Sequence, residues 1–392
     1  MKLWTKDFLL DSLTNLFLYI VFYLLVVTVT PYATDRFQAS PSEAGLASGI
    51  FIIGVLIGRF YTGRAIDRIG RKKTLYIGLV IYLGVTGLYF AVHSLSALIL
   101  IRLLHGMGFG MAATATGTIA VTLIPRERYG EGISYFAMSV AFGSAVGPLL
   151  GLYMIQHGSF TMILILAGLL LAASLASAFI MKTPEEERGG RHPEPMKGLS
   201  GHSFLSATAI PISVVALFMG LGISSVLSFF ASYAREIALT DVGSFFFTVY
   251  ALVMLLTRPF TGRLFDRAGD NVVMYPSFLF FALGLVVLSQ AGHGVILLLA
   301  AVFIGLGYGT FVSSAQAIAV RSSPRNRVGL ATSTYFIFLD VGAGLGPYVL
   351  GMLIPATGFR GVYLGATGVV LACIVLYYFL HGRKTASPAG AR

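Results

Sequence analysis

The sequence predicts an all-α membrane protein in which twelve transmembrane helices form two pseudo-symmetric six-helix bundles. Apolar and aromatic residues make up 56% of the chain and charged residues only 11%, well below the roughly 25% of a soluble domain. The apolar residues form twelve runs, and many residues recur at an offset of 199 positions. Because this register holds over roughly ninety residues, it indicates two copies of one membrane-embedded unit.

The twelve apolar runs each have about the 20 residues that a helix needs to cross a bilayer. In chain order they cover residues 8–31, 44–63, 74–92, 96–118, 132–155, 159–181, 208–231, 242–262, 272–291, 295–320, 329–355 and 361–381. They divide the chain into an N-terminal bundle (1–181), a polar cytoplasmic linker (182–207) and a C-terminal bundle (208–392). The first run contains Asp11 and Asn15 and is too long for a signal-peptide core, so we expect it to be retained.

The cationic side chains of the loops and tails predict the orientation in the membrane. Of these, 21 fall on one side, and only Arg36, Arg235 and Arg360 fall on the other. We therefore expect both termini in the cytoplasm and the chain in the inner membrane. Topology accounts for most of the net charge of +11, which leaves no support for nucleic-acid binding.

The repeat is carried by glycines, prolines and charged residues, both within the spans and in the loops that follow them. The pairs are Arg59/Arg258, Gly63/Gly262, Asp67/Asp266, Gly70/Gly269, Gly106/Gly305, Gly108/Gly307, Pro125/Pro324, Gly143/Gly342, Gly147/Gly346 and Pro148/Pro347. The string after the second span resembles the signature between helices 2 and 3 of the major facilitator superfamily. That resemblance implies secondary transport by two six-helix bundles, and it implies a cytoplasmic gate formed by Gly63, Asp67, Arg68, Gly70, Arg71, Asp266, Arg267 and Gly269.

In this superfamily the signature aspartate is thought to meet a helix N-terminus of the other half. The resemblance therefore implies that Asp67 faces the helix starting near Gly329, and Asp266 the one starting near Gly130. Each such contact contributes about 0.3 to 2 kcal/mol, enough to bias a gate. The second copy has Asp270 and Asn271 where Arg71 and Lys72 stand, so we expect a weaker contact there. The alternative is that these loops serve only the positive-inside rule.

Two ionisable residues inside spans, Arg102 and Asp340, are functional candidates because charges at membrane depth are costly, and we expect both to take part in proton coupling. Arg102 is followed by His105 and glycines, a run that resembles the superfamily's helix 4 signature, whose arginine is implicated in proton coupling, although a glutamine is usual at the position of His105. Asp340 lies some eleven residues into its span, near the bilayer midplane by a rise of about 1.5 Å per residue. The alternative for each is a fixed structural ion pair.

The fifth span carries Gly143, Gly147 and Gly151 on one face, with Pro148 beside them. Glycines four residues apart let another helix backbone approach closely. The run resembles the antiporter signature of the superfamily's exporters, which favours export, although Leu152 replaces its last glycine. Ordinary helix packing is the alternative.

Cavity-lining residues follow from the superfamily architecture, which places helices 1, 4, 7 and 10 around the cavity. Arg59 and Arg258 lie one turn before the gating glycines. If they point into the cavity, they and Arg102 make its interior cation-rich, which suits an anionic or zwitterionic solute. The alternative is that Arg59 and Arg258 only extend to the cytoplasmic interface. The other candidates are Asn15, Tyr19, Tyr23, Met107, Met111, Ser225, Phe229 and Gln316.

We therefore expect a monomeric, proton-coupled exporter of a small organic solute, not an enzyme, that uses no cofactor and no metal. No GxxxxGK[ST] string is present, so ATP is not expected to drive it, and the one cysteine, Cys373, lies in the last span. The alternatives are a multidrug exporter of lipophilic compounds, an uptake symporter of the same fold, and a non-transporting membrane receptor or scaffold.

Overall fold

The computed structural model describes residues 3–125, 128–183, 205–323 and 328–383, and helices fill most of these ranges. Twelve of the helices are long and apolar enough to cross a membrane. They are α1 (Lys6–Phe37), α2 (Pro41–Ile69), α3 (Arg71–Leu88), α4 (Leu95–Leu123), α5 (Tyr129–His157), α6 (Phe160–Ile180), α7 (Ile210–Glu236), α8 (Phe246–Ala268), α9 (Asp270–Ser289), α10 (Gly294–Arg321), α11 (Val328–Gly351) and α12 (Ile354–Tyr377). The predicted all-α membrane fold is confirmed.

Hydroxyl side chains cap the N-termini of several helices. The side chains of Thr5, Ser94 and Ser159 each accept a hydrogen bond from a backbone N–H of the first turn of α1, α4 and α6. Before α2, Ser40 and Glu43 form a capping box, in which the Ser40 N–H donates to Glu43 Oε2 at 2.9 Å. These local bonds place the helix starts close to where hydropathy predicts the spans.

The chain forms two compact units. The first comprises residues 1–39 and 50–199, and the second comprises residues 40–49 and 200–392. The start of α2 belongs to the second unit, where the hydroxyls of Ser48 and Ser228 lie 3.1 Å apart. Most of the predicted linker, residues 184–204, lies outside the described residues.

One glycine in each copy of the repeat makes the same turn. Gly70 separates α2 from α3 and has φ 94°, and Gly269 separates α8 from α9 and has φ 87°. A positive φ is strained for residues with a Cβ, so a turn of one residue between two long helices requires glycine here. The offset of 199 residues therefore corresponds to an equivalent backbone conformation in both units.

The glycines of α4 and α10 show that packing repeats at the same offset. At three glycines of each helix, a Cβ would collide with a neighbouring helix. The colliding pairs are Gly106 with Phe51, Gly108 with Tyr82 and Gly110 with Val55 in the first unit, and Gly305 with Tyr250, Gly307 with Phe281 and Gly309 with Met254 in the second. The three partner residues of the second unit are also displaced by 199 from those of the first, so α10 packs against α8 and α9 as α4 packs against α2 and α3.

The last helix begins earlier than its hydropathy predicts. The predicted span starts at residue 361, whereas α12 starts at Ile354. Gly358 has φ 66° and interrupts the helix after its first turn, which gives this stretch the sequence character of a loop. Arg360, predicted to lie in that loop, is helical and donates from Nη2 to the carbonyl of Ala291 at 3.3 Å.

Candidate functional site

Arg102 lies in the interior of the first unit. Its side chain has no exposed surface, and its guanidinium carbon lies 4.4 Å from the centre of the Phe51 ring. Its Nη1 is 3.5 Å from the hydroxyl of Tyr89, in the short turn that follows α3. Cation–π contact and hydrogen bonding offset part of the cost of burying this charge. Arg102 therefore adds no exposed positive charge to a solvent-filled cavity.

His105 is buried one turn after Arg102 on α4. Its Nε2 lies 2.9 Å from the Thr86 hydroxyl, and its Nδ1 lies 3.4 Å from the Tyr89 hydroxyl. The Tyr82 ring packs 4.3 Å from the imidazole, centre to centre. These contacts connect α3 and α4 through side chains and link His105 to Arg102 through Tyr89.

An aromatic cluster surrounds this pair and joins α1, α2, α3 and α4. Phe22 stacks on Phe51 and on Phe109, with ring centres 5.4 and 5.1 Å apart, and Tyr19 meets Phe109 edge-on at 5.2 Å. Tyr19 and Tyr23, which we predicted to contact solute, are half-buried. Their rings are therefore the partly exposed edge of a packed aromatic interior.

Asn15 is buried within the first unit, with 1% of its surface exposed. Its Nδ2 donates to Ser139 Oγ at 2.7 Å, and its Oδ1 accepts from Thr116 Oγ1 at 3.0 Å. The side chain thus bonds α1 to α4 and α5, an arrangement typical of polar residues between transmembrane helices. We predicted that Asn15 contacts solute, but the polar atoms of its side chain bond to neighbouring helices within the first unit.

Asp11 is a buried carboxyl that the sequence alone does not single out. It lies one turn before Asn15, has no exposed surface, and neither of its carboxyl oxygens has a hydrogen-bond partner in the described part of the chain. An orphan buried polar group is rare and calls for an explanation. Its four-residue spacing from Asn15 was the available signal. By residue count from the N-terminus, Asp11 lies at a shallow depth, which is why the sequence alone does not single it out.

Asp340 lies near the middle of α11 and is half-buried. Five residues earlier on the same helix, the buried Tyr335 donates from its hydroxyl to the carbonyl of Val312 on α10 at 3.0 Å. The structure therefore places this predicted coupling residue at mid-helix with part of its surface exposed.

The remaining predicted contact residues divide into a buried group of three and a half-buried group of four. Met111 and Phe229 are buried, and Phe229 packs in a core cluster with Leu350, Ile354 and Val362. Four are only half-buried: Met107, Arg59, Arg258 and Gln316. Ser225 is buried and donates to the carbonyl of Gly222 at 2.7 Å. The half-buried group retains surface for a solute.

The predicted gate is described only in part. The side chains of Asp67, Arg68 and Asp266 lie outside the described residues. A Cβ at Gly63 would meet no atom within 4 Å, whereas Gly70 and Gly269 make the one-residue turns. Arg71 is half-buried and Arg267 is exposed.

Asp270 and Asn271, which replace Arg71 and Lys72 in the second copy of the repeat, form an ionic and hydrogen-bonded cluster. Asp270, 7% exposed, forms a salt bridge with Arg321, and its Oδ2 lies 2.9 Å from His381 Nε2. Beside it, Asn271 accepts from the Tyr377 hydroxyl at 2.9 Å and donates to the carbonyl of Gly382 at 3.0 Å. These bonds join the ends of α9, α10 and α12 within the second unit.

The glycines of α5 pack against α1 as their spacing predicts. Gly143 faces Tyr19 and Ile20, and Gly147 faces Ile20, Tyr23 and Leu24. Gly151 continues the same face against α1, and Pro148 lies inside α5. Among the described residues, no group of three or more His, Cys, Asp or Glu side chains is placed to hold a metal ion.

Comparison with known proteins gives a consistent family assignment. The model of the Major Facilitator Superfamily matches residues 12–244 and 212–392. YhhS, an MFS-type transporter of Escherichia coli (strain K12), is 24% identical over 374 residues, covering 93% of this chain and 90% of YhhS. The multidrug resistance protein MdtG of Klebsiella pneumoniae (strain 342) is 25% identical over 390 residues, covering 94% and 91%.

Solved structures with low sequence identity share the fold. The nucleoside transporter NupG superposes with a TM-score of 0.76 at 14% identity, covering 96% of this chain and 99% of NupG. A bacterial homologue of the human lysosomal transporter Spinster, inward-facing and occupied, gives a TM-score of 0.76 at 14% identity, covering 95% and 96%.

Proposed function

This chain belongs to the Major Facilitator Superfamily, and we propose that, as a multi-pass membrane transporter, it exports a small organic solute in exchange for protons. It works as a monomer in the inner membrane, with both termini in the cytoplasm. The cavity opens alternately to the two sides of the membrane, so that proton entry and solute exit are coupled.

The position of Asp340 carries the proton-coupling proposal. A carboxyl at mid-helix, half-buried, sits where changing access to water changes its protonation. One proton moving through 100 mV releases about 2.3 kcal/mol, which supports a solute ratio of roughly fifty-fold. Arg102, buried beside Phe51, is the second coupling residue, and it acts from inside the first unit.

The proposed solute is anionic or zwitterionic. Arg59 and Arg258 are half-buried, and the Nε of Arg258 has no partner within the described ranges. A guanidinium is well suited to pair with carboxylate or phosphate oxygens. The glycine face of α5 against α1, which resembles that of exporters, supports outward transport.

A second candidate is a multidrug exporter of lipophilic compounds. The half-buried Tyr19 and Tyr23 at the edge of the aromatic cluster would suit a flat apolar or cationic compound. The similarity to MdtG, named as a multidrug resistance protein, favours this candidate.

The test is a solute screen in inverted membrane vesicles that contain the protein and are acidified inside by respiration. An acridine dye reports the pH gradient, and anionic, zwitterionic and lipophilic cationic compounds are added in turn. We expect an anionic or zwitterionic compound to release protons from vesicles with the protein and not from vesicles without it. Release by lipophilic cations alone favours the second candidate.

Variants separate coupling from nonspecific leakage. Asp340→Asn should abolish the proton release, whereas Asp241→Asn, at an exposed position before α8, should retain it. If no compound from any class releases protons, the exporter proposal fails. Proton uptake with solute in right-side-out vesicles would instead indicate an uptake symporter.

A further inference from the structure

One assignment of the hydrogens satisfies every hydrogen bond around His105. Thr86 Oγ1 lies 2.8 Å from the carbonyl oxygen of Tyr82 and 2.9 Å from His105 Nε2. The carbonyl can only accept, so the single hydroxyl hydrogen of Thr86 points at it. The Thr86 oxygen must therefore accept from His105, which places a hydrogen on Nε2.

The other side of the imidazole follows from Arg102. A guanidinium can only donate, so the Tyr89 oxygen accepts from Arg102 Nη1 across 3.5 Å. The Tyr89 hydrogen is then free to point at His105 Nδ1, 3.4 Å away. Nδ1 accepts it only if it carries no hydrogen. The result is a one-way chain of donors that runs from Arg102 through Tyr89, His105 and Thr86 to the Tyr82 carbonyl.

We propose that His105 is a positioning residue that, as its neutral Nε2–H tautomer, fixes the Tyr89 hydroxyl so that its oxygen faces Arg102. The aromatic ring of Phe51 holds the guanidinium from the side of α2, and the rings of Tyr82 and Tyr89 face the imidazole from the side of α3. The charged side chain in this network is Arg102, which donates to the Tyr89 hydroxyl.

A second hydrogen on His105 would break this arrangement. Nδ1–H would compete with Arg102 for the Tyr89 oxygen, and the Tyr89 hydrogen would lose its acceptor. It would also place two positive charges one helical turn apart in an apolar interior, which is costly. His105 therefore stays neutral while Arg102 is held. The role of His105 in transport rests on the proposed coupling role of Arg102. The assignment of the His105 tautomer is independent of that proposal.

The test uses nitrogen-15 NMR of histidine-labelled protein, purified in detergent. Of the seven histidines, His105 is assigned from the difference between wild type and His105→Gln. We expect one unprotonated and one protonated ring nitrogen. Tyr89→Phe should shift the unprotonated resonance, and Thr86→Val the protonated one.

Tyr82→Phe is the matched control. Its ring also packs on His105, but its hydroxyl has no hydrogen-bond partner in the described part of the chain. It should therefore leave both resonances in place. A doubly protonated His105, a hydrogen on Nδ1, or equal shifts from Tyr82→Phe and Tyr89→Phe would overturn the proposal.

The positioning role has a functional readout as well. Glutamine can reproduce both bonds, because its amide nitrogen donates to Thr86 and its oxygen accepts from Tyr89. In the vesicle assay, His105→Leu should slow proton release about tenfold, as expected for losing roughly one buried hydrogen bond, and His105→Gln should recover most of it. Equal loss in both variants would contradict the positioning role. Absence of proton release in wild type would instead count against the proposed function and leave the NMR result standing.

Discussion

The close approach of α4 to α2 leads to a stability prediction for Gly106. A Cβ at Gly106 would overlap the carbonyl oxygen of Phe51 and come within 3.0 Å of the Val55 nitrogen. Both are backbone atoms, which cannot move aside without shifting a helix. Overpacking of this kind costs about 1–3 kcal/mol, so Gly106→Ala should lower the free energy of unfolding by that amount relative to a glycine with free space.

Gly117 on the same helix supplies that reference, because a Cβ there meets no atom within 4 Å. Both substitutions gain the same helix propensity, about 0.8–1.0 kcal/mol, so it cancels in the comparison. Unfolding by SDS in mixed micelles, followed by tyrosine fluorescence and circular dichroism, measures both variants. Equal stability of Gly106→Ala and Gly117→Ala would refute the described packing of α2 against α4.

Two further predictions concern buried carboxyls. Asp11→Leu should raise the free energy of unfolding by about 1–3 kcal/mol in the same SDS titration, because it removes a buried carboxyl that has no hydrogen-bond partner among the described residues. A loss of stability would mean that Asp11 has a partner. Asp270→Asn should lower the free energy of unfolding. Charged hydrogen bonds typically contribute about 1.5–3 kcal/mol, and we expect a loss at the low end of that range because the partner Arg321 is 51% exposed. The stability difference between wild type and Asp270→Asn should shrink in 1 M salt, and no stability difference at low salt would contradict the cluster.

The helices and the repeat could be predicted because they depend on local sequence. Runs of about 20 apolar residues mark spans wherever they occur. The glycine at position 70 and its counterpart at 269 are the residues that a one-residue turn requires. The start of α12 was missed because Gly358 and Arg360 are residues typical of loops, whereas here they lie in a kinked helix.

The surroundings of the candidate residues could not be predicted, because they depend on how the helices rotate against one another. Nothing local indicates that Arg102 contacts Phe51 from a different helix, or that Asp270 meets Arg321 and His381, 51 and 111 residues further along the chain. Asp11 lies at a shallow depth by residue count, but the N-terminal end of α1 is covered by an apolar cluster that contains Phe8, one turn earlier.

Proton-driven accumulation of solute in proteoliposomes tests the central claim most directly. Purified protein would be given a proton gradient equivalent to 100 mV and the solute identified in the vesicle screen. We predict that wild type concentrates the solute toward the side with more protons, up to roughly fifty-fold, and that Asp340→Asn only equilibrates it. Full accumulation by Asp340→Asn, or accumulation by wild type that survives a protonophore, would contradict proton exchange through Asp340.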